Sequence, residues 1–181
     1  MANTVGLAQS VQKLDTNTRV ITFNLKSQHA LIGLLLAHRR EVHQVVDVAK
    51  WALETFPNSR LVLLGSSAGA PIAGSALARL SSDHPYIAIG FTFGALAALG
   101  FGRHFSAISR SCSPKLFIQG QRDEFTSPTT LQKRVDRVAG PVNDMHIVPD
   151  VGHFELESSM YDELVAHLVV DWLDKIRSTS R

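Results

Sequence analysis

Short apolar runs alternate with helix-period segments along this chain, and that alternation limits the fold more than any other feature. Val20-Ile21-Thr22-Phe23, Leu61 to Leu64, Tyr86 to Ile89, Lys115 to Ile118 and Met145 to Val148 are rich in β-branched and other apolar residues. Turn residues bound each run, so each reads as a strand. Their hydrophobicity is nearly continuous, which suits strands covered on both faces, as in a parallel sheet. Between them, Val42, Val45, Val46, Ala49, Leu53 and Phe56 follow the spacing of one buried helix face, and Pro57 ends that helix. Met160, Leu164, Val165, Leu168, Val169, Trp172 and Ile176 predict a long C-terminal helix in the same way. Residues 70 to 80, with Pro71 in the first turn, and residues 128 to 138, opened by Pro128 after Ser127, predict two more. Such alternation predicts a three-layer α/β/α, doubly wound and mainly parallel sheet, with functional groups at the carboxyl ends of its strands. Residues 1–18 and 25–39 show no clear element.

At 181 residues the chain is expected to form one domain over 1–181, long enough to bury a substantial core. A composition 45% hydrophobic and 19% charged is that of an ordinary globular protein. The formal charge of +2, carried by scattered basic residues, gives no electrostatic footprint for nucleic acid or an anionic membrane surface. The single cysteine, Cys112, excludes an internal disulfide and suits a reducing compartment, the cytoplasm first and the nucleus next. The first residues lack the basic and apolar blocks of a signal peptide. The longest apolar stretch, Tyr86 to Phe101, is interrupted by glycines and falls short of the ~18 apolar residues of a membrane span. It reads as a buried strand running into a helix.

Directly behind Leu61 to Leu64 stands Gly65-Ser66-Ser67-Ala68-Gly69. Gly-x-Ser-x-Gly between a strand and a helix is the pattern of a nucleophile elbow, a sharp turn that pushes the serine hydroxyl into solvent. Gly65 and Gly69 would let the helix approach the strand, and the Ala68 N–H would be the first donor to an oxyanion formed on attack by Ser67. The plainer reading is a turn of small residues with no chemistry. Asp123, in the turn Gly120-Gln121-Arg122-Asp123 after the fourth run, is the candidate acid; a capping or turn aspartate is its ordinary alternative. His153, in Asp150-Val151-Gly152-His153-Phe154 after the last run, is the candidate base. Asp144 and Asp150 are weaker acids because they lie on the segment that carries the histidine, and Glu124 would point away if Asp123 points inward. His38 and His43 are five apart, the wrong spacing for a metal pair on one helix face. His104 is a structural or pocket-lining candidate. His29, His84, His146 and His167 read as surface or structural histidines. No dinucleotide or Walker motif, and no Cys/His metal spacing, occurs.

The order Ser67, Asp123, His153 is the nucleophile–acid–histidine order of the α/β-hydrolases, and the sequence resembles that superfamily from about Val20 to its end. More narrowly it looks like the dienelactone-hydrolase-like proteins grouped with the testis-expressed and NSL-complex-subunit hydrolase-like domains. Leu64-Gly65-Ser66-Ser67-Ala68-Gly69-Ala70-Pro71-Ile72-Ala73-Gly74-Ser75, Phe101-Gly102-Arg103-His104, Lys115 to Gly120 with Arg122-Asp123, and Gly152-His153-Phe154 carry the likeness. The resemblance implies a serine-hydrolase fold with no cofactor, a small acyl substrate of the carboxylic ester or thioester type, and a triad of Ser67, His153 and Asp123. The sequence departs from the family before Leu61. Asn24-Leu25-Lys26-Ser27-Gln28-His29 replaces an Asp-x-Arg-Gly-x-Gly-x-Ser turn, and the chain looks shortened where the second oxyanion donor is expected. Loss of one donor costs about 100- to 1,000-fold in rate and leaves the chemistry possible. The alternative is a catalytically weak hydrolase-like scaffold that acts through protein contacts. No insertion is long enough to form a lid over a lipid substrate.

Overall fold

The computed structural model describes residues 4–25, 39–80, 84–92, 105–140 and 143–179. Its elements are α1 (Thr4–Leu14), α2 (Arg39–Thr55), β1 (Leu63–Ser66), α3 (Gly69–Leu77), β2 (Tyr86–Ile89), β3 (Lys115–Gly120), α4 (Pro128–Val135), β4 (Asn143–Val148), α5 (His153–Leu156) and α6 (Asp162–Thr179). The strands form one parallel sheet in the order β1-β2-β3-β4, with Leu63 level with Tyr86, Tyr86 with Lys115, and Lys115 with Asn143. β2 and β3 are buried along their whole length, as their unbroken hydrophobicity requires, whereas the edge strands β1 and β4 are partly exposed.

The strand period of two sorts these residues between two cores. Tyr86, Ala88 and Phe117 face the first, against Val42, Val46 and Ala49 of α2, Ala73 and Leu77 of α3, and Leu131 and Val135 of α4. Ile87, Ile89, Leu116 and Ile118 face the second, against Leu7 and Val11 of α1 and Val165, Val169, Trp172 and Ile176 of α6. Parallel strands that follow one another in space need right-handed crossovers, which place every intervening helix on one face. α1 and α6 lie outside those crossovers and cover the other face. The three-layer α/β/α expectation is met.

Some local expectations are corrected. Val20 to Phe23 is not a strand: residues 18–25 have no regular structure, with Ile21 and Phe23 exposed. β-Propensity reflects packing on a pleated surface, and this segment is held elsewhere. Thr18 donates to Asp15 (2.6 Å), the Arg177 guanidinium bonds both Asp15 (2.9 Å) and Thr18 (3.2 Å), and the Arg19 guanidinium lies over the Phe56 ring. On α6, Val165, Ala166, Val169, Trp172, Leu173 and Ile176 form the buried stripe and Leu164 is exposed, while Met160 lies exposed ahead of the helix. The helix behind the elbow ends at Leu77 and the one opened by Pro128 at Val135. Ser127 caps the latter, its hydroxyl accepting the Thr130 N–H. The predicted helix ended by Pro57 runs Arg39–Thr55. Of the segment 25–39, residues 26–38 lie outside the described residues, as does the motif Phe101 to His104.

Candidate active site

The elbow is built from backbone geometry first. Ser67 has φ 51°, in the left-handed region that costs a non-glycine residue on the order of 1–2 kcal/mol. The turn is fixed from both sides: the Ser67 N–H donates to the Ile89 carbonyl (2.9 Å) and the Ser67 carbonyl accepts from the Ala70 N–H (3.0 Å). The buried Tyr86 hydroxyl donates to the Ala70 carbonyl (2.6 Å) and ties the first turn of α3 to β2. Gly65 is required here, because a Cβ on it would lie 2.5 Å from the Gly69 carbonyl oxygen and 2.6 Å from the Ala70 Cα. Gly69 is not: a Cβ there meets nothing within 4 Å. The close approach expected of both glycines belongs to Gly65 alone. Ala68 is the exposed N-cap of α3, and among the described residues no acceptor takes its amide hydrogen. Its N–H therefore stands at the positive end of a helix.

Asp123 is held by the turn leaving β3. Its Oδ1 accepts the N–H groups of Phe125 (2.9 Å) and Thr126 (2.8 Å), and its Oδ2 faces His153 Nδ1 at 2.7 Å. The carboxylate is fully buried and surrounded by donors. The histidine turn is braced against the same strand end: Gln121 and Arg122 donate to the Val148 and Val151 carbonyls (2.9 Å each). Gly120 permits this, since a Cβ on it would lie 2.4 Å from the Val151 carbonyl oxygen. Glu124 Oε2 accepts the His153 N–H (3.0 Å), and Glu155 Oε2 accepts the Gly152 N–H (2.8 Å). Glu124 thus turns away from the imidazole, as expected, and anchors its backbone. His153 opens the short helix α5 rather than lying in a loop.

The three sequence-predicted residues meet. Ser67 Oγ lies 2.8 Å from His153 Nε2, and Asp123 Oδ2 takes the other ring nitrogen. The imidazole lies against Gly90, where φ is +55° and a Cβ would come within 3.1 Å of His153 Cε1. The Phe125 ring meets it edge-on, centroids 4.6 Å apart. Burial pushes the His153 pKa down, but the Asp123 hydrogen bond and the charges of Asp123, Glu157 and Glu124 outweigh it, and the net shift is upward from 6.5. For Glu124, the hydrogen bond from the His153 N–H holds the carboxyl below its usual range.

The rejected candidates have other duties. Asp144 accepts from Trp172 Nε1 (2.9 Å) and Lys175 Nζ (2.8 Å), joining β4 to α6. Asp150 occupies a left-handed turn (φ 57°), and its carbonyl takes the Arg122 guanidinium. His43 Nε2 meets Arg79 Nη1 at 3.1 Å. His38, His29 and His104 lie outside the described residues; His146 and His167 are exposed and His84 is buried. Among the described residues no group of His, Cys, Asp or Glu side chains is arranged to hold a metal ion.

With a parallel sheet, a serine at φ 51° after β1 and a buried Asp–His pair at the ends of β3 and β4, comparison with solved structures has a definite target. An α/β serine hydrolase homologue from Coxiella burnetii matches with a TM-score of 0.67 at 18% identity, over 93% of this chain and 76% of that one. The fold is that of the α/β serine hydrolases. A serine hydrolase without a lid from Xanthomonas campestris gives a TM-score of 0.66 at 22% identity, covering 93% and 72% of the two chains. The esterase domain of a Rhodothermus marinus protein gives 0.71 at 10% identity, covering 95% and 80%. No protein-family model matches the chain, and no curated protein matches it in sequence. At these identities the likeness is one of fold.

Two site residues were not singled out in the sequence. Gly90 reads only as a turn after β2, and its role against the imidazole depends on the third dimension. Glu157 lies with Oε2 4.0 Å from His153 Nε2, while its Oε1 accepts the Ser66 hydroxyl at 2.6 Å. Its place four residues after His153 would bring it near the imidazole on a helical turn.

Proposed function

We propose that the chain is a serine-dependent hydrolase of carboxylic esters or thioesters, acting on a small acyl substrate. The observation that carries this reading is the unbroken run of hydrogen-bonding distances from Ser67 Oγ through His153 to Asp123 on a serine at positive φ. Ser67 Oγ attacks the acyl carbon while His153 Nε2 takes its proton. Asp123 keeps the Nδ1–H tautomer and stabilises the imidazolium. The oxyanion forms beside the Ala68 N–H, at the end of α3. The leaving oxygen or sulfur then takes the proton from Nε2, and water, deprotonated by the same nitrogen, hydrolyses the acyl-enzyme. These steps call for no cofactor. Within the fold we assign the chain to the dienelactone-hydrolase-like branch on its elbow and Gly152-His153-Phe154 motifs. We place it in the cytoplasm on the strength of its single free thiol, Cys112. No helix among the described residues is long and apolar enough to cross a membrane.

One observation favours the competing scaffold reading: the segment 20–23 adds no strand beside β1, where the family's second oxyanion donor is approached. Fluorophosphonate labelling decides between the two. Purified, folded protein should acquire the phosphonyl adduct on Ser67, located by peptide mapping. Folded protein that stays unlabelled is a scaffold.

The base role also sets a pH dependence. Below the His153 midpoint Nε2 already carries a proton and cannot take that of Ser67. kcat/KM on a neutral ester should therefore rise with pH through a midpoint above 6.5, the direction in which the carboxylates move this imidazole. A midpoint below 6.5, in the rate profile or in an NMR titration of the ring, contradicts this.

A further inference from the structure

Glu157 bridges the two halves of the site. It directly follows α5, and its Oε1 accepts the hydroxyl of Ser66, the elbow residue before the nucleophile, at 2.6 Å. That bond ties the end of β1 to the histidine turn. With Oε1 so held, Oε2 stands 4.0 Å from His153 Nε2, the nitrogen that faces Ser67 Oγ at 2.8 Å. The Glu157 side chain is only 8% exposed, and among the described residues no lysine or arginine pairs with it.

An anchor for Ser66 does not by itself call for a charge. Glutamine has the same length and an acceptor oxygen for that hydroxyl, and a buried carboxylate without a cation is costly. The group within reach of Oε2 that becomes cationic is the imidazole, when Nε2 takes the Ser67 proton. A fixed negative charge beside Nε2 gains little from the neutral ring and much from the imidazolium. It therefore lowers the transition state for attack more than the ground state. Asp123 acts in this way at Nδ1, through its hydrogen bond of 2.7 Å. Also around the ring are Glu124, which accepts the His153 N–H, and Glu155, which accepts the Gly152 N–H. Arg122 bonds the Asp150 carbonyl, and Asp162 lines the crevice beside Glu157. All of these stay in place when Glu157 alone is changed.

We infer that Glu157 is a positioning residue of the triad: held by Ser66, it sets a negative charge beside Nε2 and stabilises the imidazolium formed during attack. This rests on the hydrolase reading above and adds a residue to it. Over 4.0 Å, in a site partly open to solvent, such a charge changes the proton affinity of the ring about tenfold, or about one pH unit.

Glu157→Gln keeps the acceptor for Ser66 and removes the charge. Its kcat/KM on a neutral ester should fall by up to about tenfold on the alkaline plateau, and the midpoint of its acid limb by about one unit. The gap from wild type should close below both midpoints. There the free enzyme and the transition state both hold the imidazolium, and the charge favours them alike. A clamp with no electrostatic part loses rate by one factor at every pH. Ser66→Ala keeps the charge but frees it, and should lower the midpoint by about half as much. An NMR titration of the His153 ring, run without substrate, reads the same midpoints. A ring midpoint in Glu157→Gln within about 0.2 unit of wild type, or a rate loss equal across the pH range, overturns the inference and leaves the hydrolase intact. A lowered ring midpoint in a protein that cleaves no ester supports the action of Glu157 on the ring and removes only the hydrolase reading. If Glu157→Gln does not fold, the ring midpoint of Ser66→Ala decides, and one that stays at the wild-type value overturns the inference.

Discussion

Ser67→Ala will lower kcat/KM on any ester the protein cleaves by about 10⁵-fold, the scale seen when a nucleophile acting as part of a unit is removed, and will leave the fold intact. The two halves of this expectation have separate causes. The hydroxyl makes one side-chain contact, to His153 Nε2 at 2.8 Å, so its removal deletes the attacking atom and little else. The elbow itself is held by backbone bonds from Ser67 to Ile89 and from Ala70 to Ser67, which alanine preserves. Alanine bears the same left-handed strain as serine at φ 51°. Ser67→Gly relieves it, and should be equally inactive but more stable than Ser67→Ala by about 1 kcal/mol. Melting curves beside rate measurements check both halves. Residual activity within tenfold of wild type in Ser67→Ala would mean that another group attacks.

The legibility of this site in the sequence follows from how local each part is. Ser67 was readable because strand, turn and helix lie within about a dozen residues, and the missing side chain at Gly65 reports local crowding. Asp123 and His153 were readable for a topological reason: in a parallel sheet the carboxyl ends of all strands share one edge, so residues just after separate strands converge. The strand expected at 20–23 failed because its β-branched residues state a preference for a half-buried surface and not the presence of one. α1 left a trace, since Leu7 and Val11 are four apart and both buried, but one such pair is too little to define a helix period. Glu157 was legible only through its place four residues after His153, not through its partner Ser66. Its bond to Ser66 spans 91 residues, and no spacing rule links positions that far apart. Gly69 shows the opposite error, a motif position given a packing role that Gly65 fills alone.

Asp123→Asn should cost about 10⁴-fold in kcat/KM, by a route set by the bonds around Asp123. Its Oδ1 accepts two backbone N–H groups, from Phe125 and Thr126. Asparagine has one acceptor oxygen, and keeping those two bonds turns its NH₂ toward His153 Nδ1. The ring must then accept at Nδ1 and carry its proton on Nε2, the nitrogen that faces Ser67 at 2.8 Å. In that tautomer it cannot take the serine proton. Stability changes with pH in a defined direction. In the wild type the His153 pKa is raised above its unfolded value of 6.5, by the Asp123 bond and nearby charges acting against burial. The resulting stabilisation is fully present below 6.5 and is lost as pH rises through the folded midpoint. The substitution removes the first two of the upward causes and leaves burial in place, so the folded state resists protonation. The stability gap between wild type and Asp123→Asn should therefore widen as pH falls from 8 to 5, toward the ~3–5 kcal/mol typical of breaking a buried pair. Denaturant midpoints at the two pH values measure it. A gap that narrows on acidification would mean that Asp123 does not hold the imidazolium, and that the loss of rate has another cause.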